Sequence, residues 1–264
     1  MHFKNNNMAL SLKVLGCSSA TPTSTRYPSA FLLKADNKKE YFLIDCGEGT
    51  QMLLRKMGIR MQAISRIFIS HLHGDHFLGI IGFVFSQNLL GRTEELHIYA
   101  HKTLEKILKM HLQTEGITLS YPLTFHTIKK RYKNTVLFQD ENMEVRCFPL
   151  IHGMLTHGFV FKHAQTRFAY CSDTLYTESI LPYIKEVDLL YHETTFMDDR
   201  AAAAAEKYHS TTKEAARIAL KANAKQLLIG HYSARYPDTK PLEEEAKTIF
   251  PNTLAASEGL TITF

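Results

Sequence analysis

Residues 71–76 read HLHGDH and put His71, His73, Asp75 and His76 within six positions. Neutral imidazoles and an ionised carboxylate are the donors a hydrolytic zinc centre uses. In an extended or tightly turned segment, His71 and His73 can point one way while Asp75 and His76 approach from beside them. That arrangement favours two adjacent metal ions over one. Gly74 would let the chain turn tightly around the metal. The preceding run, Ile64 to Ser70, is short, apolar and β-branched, as a buried strand requires. The donors therefore sit where a strand ends.

A dinuclear site needs more donors than this cluster supplies. His152, Asp173 and His231 each follow an apolar run expected to be a strand: VRCFPLI, FAYCS and QLLIG. His157 competes with His152, and the residues alone leave that choice open. Asp45, also at an expected strand end, reads as an acceptor for the N–H groups of metal-binding histidines rather than as a ligand.

The elements that must position these residues are legible in outline. Strands are expected over Leu10–Leu15, Ser29–Lys34, Glu40–Asp45, Ile67–Ser70, Leu96–Ala100, Val145–Pro149, Gly158–Lys162, Arg167–Cys171, Asp188–His192 and Gln226–Gly230. Helices are expected between Gly49 and Gly58, over 77–91, and over Lys102–Thr114. Thr211 and Glu214 form a capping box that launches another helix through Ala222. The alanine run Ala201–Ala205 suits a helical turn. Strands in both halves with helices between them predict an α/β fold of two sheets packed face to face, with helices outside.

Apolar residues make up 45% of the 264 and charged residues 22%, near globular averages, so a core can form within a single domain. The net charge of +5 permits a polyanionic partner without demanding one. No window approaches 18 uninterrupted apolar residues, so no membrane span is expected. Residues 1–8 read as a frayed polar leader with no export signal. Cys17, Cys46, Cys147 and Cys171 are widely spaced and read as thiols of a cytoplasmic protein.

HLHGDH is also the signature of the metallo-β-lactamase superfamily. More narrowly, the chain resembles the ribonuclease Z family, endonucleases that remove 3′ trailers from precursor tRNA. The resemblance rests on LGCSSATPT near the N-terminus, DCGEGTQ at 45–51, ISHLHGDHFLGIIG at 69–82, HETTF at 192–196, YHST at 208–211 and GHYSARY at 230–236. It implies a four-layer αβ/βα sandwich and two bound metals. One would sit on His71, His73, His152 and Asp173, the other on Asp75, His76, Asp173 and His231, with Asp173 bridging. His152 is preferred to His157 because the family's histidine is followed six positions later by glycine, here Gly158. Both metals would be Zn²⁺, with Mn²⁺ the alternative, since such donor sets bind several divalent ions. The resemblance further implies that Asp75 orients and deprotonates the attacking water, that His209 supported by Glu193 protonates the leaving oxygen, and that the protein is a homodimer.

One departure stands out. The family carries a long protruding arm, which grips the tRNA body, between the positions matching His152 and Asp173. Only residues 153–172 lie there in this chain, enough for the hairpin GFVFKHAQTRFAYC. A phosphodiesterase acting on small or cyclic-nucleotide phosphodiesters, with the same dinuclear site, is therefore the alternative function. HTIKKRYK at 126–133 could contact phosphates in place of the arm, or be a solvated loop. Arg235 and Tyr236 could meet a phosphate or a base.

Overall fold

A computed structural model describes residues 9–36 and 38–264 of the chain; the leader expected over residues 1–8 lies outside them. In chain order the strands are β1 (Leu10–Gly16), β2 (Ala30–Ala35), β3 (Tyr41–Ile44), β4 (Ile64–Phe68), β5 (Leu96–Ala100), β6 (Leu123–Thr127), β7 (Thr135–Gln139), β8 (Met143–Pro149), β9 (His157–His163), β10 (Thr166–Cys171), β11 (Leu189–Glu193), β12 (Gln226–Gly230), β13 (Thr253–Ala255) and β14 (Thr261–Thr263). The helices are α1 (Thr50–Lys56), α2 (Gly74–Phe77), α3 (Gly79–Leu89), α4 (Lys102–Thr114), α5 (Leu181–Ile184), α6 (Ala201–Glu206), α7 (Thr212–Lys221) and α8 (Lys240–Lys247).

Two seven-stranded sheets result, ordered β14-β1-β2-β3-β4-β5-β6 and β13-β12-β11-β10-β9-β8-β7. Each is antiparallel in one part and parallel in the other. The parallel parts are β3 to β6 and β10 to β13. Period-two alternation explains how the layers form, because successive side chains on a strand face opposite ways. Phe31, Phe42 and Phe68 of the first sheet meet Phe138, Phe159, Phe161, Tyr170 and Tyr191 of the second in edge and tilted ring contacts. Their neighbours Leu32, Leu43 and Ile67 face outward, packing with Leu53, Phe83, Val84 and Leu104 of α1, α3 and α4. Helices α7 and α8 cover the second sheet through Ile218, Ala219 and Leu242. The result is the expected four-layer αβ/βα sandwich.

Several elements differ from the sequence expectation. The cluster helix begins earlier, because α2 takes in Asp75 and His76. Strand β6 escapes notice since all of its residues are only half-buried, and β13 and β14 have three residues each. Helix α8 buries only Leu242 and Ala246, leaving too narrow a stripe to read. The capping box at Thr211 and Glu214 forms at both of its hydrogen bonds. Among the described residues no helix is long and apolar enough to cross a membrane, and all four cysteines are buried and free.

One close approach ties the fold to the site. A Cβ on Gly79 would lie 2.1 Å from the Gly47 carbonyl oxygen. The bare backbone instead lets the Gly79 N–H reach the Cys46 carbonyl at 2.9 Å. The start of α3 is thereby pressed onto the segment that carries Asp45.

Candidate metal centre and active site

The site lies at the carboxyl ends of the parallel strands, where side chains from successive loops converge. After β4 the chain runs on through Ser70, His71 and an extended His73, then turns through α2. His71 and His73 thus come from extended backbone and Asp75 and His76 from a helical turn, so the segment is not uniformly extended. Gly74 does not use glycine's conformational freedom: its φ is not positive, and a Cβ there would meet only the Leu78 side chain. From the second sheet, Asp173 follows β10, Glu193 ends β11, and His231 follows β12 with φ 62°. His152 comes from the loop after β8, and His209 from the loop between α6 and α7.

The structure brings all seven expected donors together: His71, His73, His152 and Asp173 form one set and Asp75, His76 and His231 another, while Asp173, His209 and His231 form a third that links them. On one side His71 Nε2 and His152 Nε2 lie 3.1 and 3.0 Å from His73 Nδ1, with Asp173 Oδ2 at 3.6 and 3.8 Å from His71 and His152. On the other, His76 Nε2 and His231 Nε2 are 3.2 Å apart. Asp75 Oδ2 stands 3.5 and 3.2 Å from them, and Asp173 Oδ1 3.4 and 3.3 Å. Each oxygen of Asp173 therefore faces one set.

The far nitrogens of these rings determine what the near ones present. His76 Nδ1 donates to Asp45 Oδ2 at 2.8 Å, and His152 Nδ1 to the Tyr208 carbonyl at 2.9 Å. The Ser70 hydroxyl gives its proton to Asp45, and the Thr195 hydroxyl gives its own to Glu193. Each can therefore only accept, from His71 Nδ1 at 3.0 Å and His231 Nδ1 at 2.9 Å. In their neutral forms the four rings would therefore turn Nε2 lone pairs toward the centre, where a cation can take them.

Lone pairs about 3 Å apart repel unless a metal ion or a shared proton lies between them. Asp173 Oδ1 is buried and has no hydrogen-bond partner. Among the described residues no lysine or arginine pairs with Asp45, Asp75, Asp173 or Glu193, although all four carboxylates are buried. Buried carboxylates need compensating charge. The donor set fits divalent metal. Metal-loaded protein is therefore expected to melt above chelated protein, by roughly 5–10 °C when free metal is about a hundredfold over its Kd. Equal melting temperatures in a thermal scan would count against the site.

Electrostatics separate the remaining groups. Burial opposes ionisation of Asp75, but His76 and His231 outweigh it and hold the carboxyl well below the usual carboxylate range. Burial likewise opposes charge on His209. There Glu193, with Asp173 behind it, prevails and holds the imidazole up to about 9. His209 Nδ1 donates to Glu193 Oε1 at 3.0 Å. Glu193 is also held by the backbone N–H groups of Thr195 and Ser210 at 2.8 Å and by the Thr195 hydroxyl.

His157 and His192 stay outside the centre. His157 lies in β9, where its N–H bonds Ser70 O, and burial holds its imidazole down at about 4. His192 Nδ1 donates to the Glu193 carbonyl. Asp45 is a hub, accepting from the Ser70 N–H and hydroxyl, His76 and the Tyr170 hydroxyl at 2.7–2.9 Å. Sequence reasoning missed Ser70, Tyr170, Thr195 and the Ala20 N–H, which donates to Asp75 Oδ2 at 2.7 Å. Ser70 and Thr195 stood inside the family motifs. Ala20 also lies inside a motif, LGCSSATPT, but its side chain gives no sign that its backbone N–H is the donor.

A family model described as "Anti-Pycsar protein Apyc1" matches residues 10–252. The relative named ribonuclease Z in Bacteroides fragilis is 38% identical over 300 positions, covering 95% of this chain and 98% of its own. That named ribonuclease Z in Porphyromonas gingivalis is 37% identical over 303 positions, covering 96% and 99%. The chain belongs to the ribonuclease Z family. It is a metal-dependent, phosphodiester-hydrolysing enzyme of that family, and it matches the Apyc1 model along nearly its whole length. The solved structure of human tRNase Z, short form, superposes with TM-score 0.84 at 27% identity, covering 96% of this chain and 98% of that one. The alignments to the ribonuclease Z relatives span more positions than the 264 residues of this chain, so those relatives carry residues that it lacks.

Proposed function

We propose that this chain is a zinc-dependent endoribonuclease that removes the 3′ trailer from precursor tRNA, acting in the cytoplasm as a single-domain homodimer. His71, His73, His152 and Asp173 would hold one Zn²⁺, and Asp75, His76, Asp173 and His231 the other. Mn²⁺ suits the same oxygen and nitrogen donors. When bound, the metals would lower the pKa of a water and offset the negative charge gathering on the phosphate.

The protein's own groups do the rest. Asp75 presents its carboxylate beside His76 and His231 of the second donor set, where it would orient the attacking water and accept its proton. His209, charged and fixed by Glu193, delivers a proton to the leaving oxygen. The observation that carries this reading is the His209–Glu193 pair, locked at 3.0 Å beside the donor cluster. A plain metal-binding scaffold has no use for a buried carboxylate holding an imidazole protonated.

One observation favours a second reading, hydrolysis of small or cyclic-nucleotide phosphodiesters. Between His152 and Asp173 the chain forms only the β9–β10 hairpin, with no arm to hold a tRNA body. A side-by-side assay decides. Zinc-loaded protein is expected to cleave precursor tRNA at its 3′ end, with kcat/KM well above that for bis(p-nitrophenyl) phosphate. Brisk hydrolysis of the small ester, or of a cyclic nucleotide, without trailer removal would leave the second reading standing.

A further inference from the structure

The loop joining β6 to β7 crosses from the edge of the first sheet to the edge of the second. Its height on the sandwich follows from strand register. Phe68 pairs with Tyr99, and Tyr99 with His126. The ladder continues past the strand ends, as Ile69 N–H reaches Tyr99 O at 2.9 Å and Ile128 N–H reaches Ala100 O at 2.8 Å. Strands β4, β5 and β6 are parallel, so Ile128 and Lys129 follow β6 at the same end of the sheet at which Ser70 and His71 follow β4. The loop therefore leaves the sheet at the metal-bearing end, two strands along from β4, or about 10 Å at ordinary strand spacing.

Buried Ile128 and half-buried Tyr132, which packs against the inter-sheet core, anchor this loop. A turn, with the Tyr132 N–H on Lys129 O at 2.9 Å, shapes it between them. Lys129, Lys130, Arg131 and Lys133 are all exposed. Among the described residues none of the four is in an ion pair, whereas Lys109, Lys213, Lys221, Lys225 and Lys247 each meet a carboxylate. Unpaired cations on an anchored loop form a positive field at the metal-bearing end of the sandwich, which attracts a polyanion and binds its phosphates.

We infer that the β6–β7 loop, through Lys129, Lys130, Arg131 and Lys133, is a phosphate-binding surface that holds the body of an RNA substrate while its scissile phosphate lies at the metal centre. This rests on the tRNA-processing function proposed above and supplies the remote binding energy that the missing arm would otherwise provide. A short ester reaching only the metals would not span the distance.

The experiment replaces all four residues by alanine in the full-length, zinc-loaded protein, with a Lys-to-Arg and Arg131→Lys variant that keeps the charge. For the alanine variant, KM for precursor tRNA is expected to rise about tenfold or more at moderate salt, with kcat little changed. The slope of log kcat/KM against log salt concentration should become shallower, by about 0.7–0.9 for each phosphate that the loop no longer neutralises. Hydrolysis of bis(p-nitrophenyl) phosphate should stay within twofold of wild type, and the charge-keeping variant should restore KM. An unchanged KM and salt slope in a wild-type background that cleaves precursor tRNA would overturn this inference alone. Wild-type protein unable to bind or cleave precursor tRNA would overturn the proposed function and this inference with it.

Discussion

Asp75→Ala is expected to lower turnover of precursor tRNA by about 10²–10⁴-fold, the range that a positioned proton acceptor contributes. Loss of a metal donor would add to the effect. Folding should change far less. The Asp75 carboxylate faces Asp173 across His76 and His231, so its removal relieves like-charge crowding while it forfeits the hydrogen bond from the Ala20 N–H and the 3.2 Å contact with His231 Nε2. Steady-state kinetics and a thermal scan on the same preparation test both halves. Turnover close to wild type would mean that Asp75 neither holds metal nor handles the water's proton.

His209→Ala is expected to cost about 10²–10⁴-fold with RNA, whose leaving oxygen needs a proton, and much less with bis(p-nitrophenyl) phosphate, whose p-nitrophenolate departs without one. Glu193→Gln should act through the same proton. Burial already works against charge on His209, and Glu193 is the strongest group opposing it. Without the carboxylate the imidazole pKa falls, the protonated fraction shrinks at alkaline pH, and the high-pH limb of kcat/KM moves to lower pH. A profile with its alkaline limb unmoved, or equal losses on RNA and the activated ester, would take the acid's role away from this pair.

Much of the site could be read from the sequence because its chemistry is concentrated. His71, His73, Asp75 and His76 lie within one turn of chain, and His152, Asp173, Glu193 and His231 each stand at or just beyond the end of an apolar run. Strand ends are legible because β-strands bury apolar side chains at period two. Elements with little burial were not: β6 is half-exposed throughout, β13 and β14 are short, and α8 buries two residues. The choice between His152 and His157 illustrates the limit. Local pattern treats them alike, and only the turn of the chain after β8 sends His152 into the cluster while His157 enters β9.

By itself the sequence determined the donor types, their order along the chain, and the alternation that builds two sheets with helices outside. These are local properties, set by side-chain chemistry and backbone periodicity. Tertiary structure alone decided that each oxygen of Asp173 faces a different donor set, and that Asp45, Tyr208, Ser70 and Thr195 each satisfy the far nitrogen of one ring. It also decided that the β6–β7 loop leaves its sheet at the same end as the donor cluster. Such relations join residues far apart in the chain, and they exist only once strand register and sheet packing bring separate strand ends to one edge.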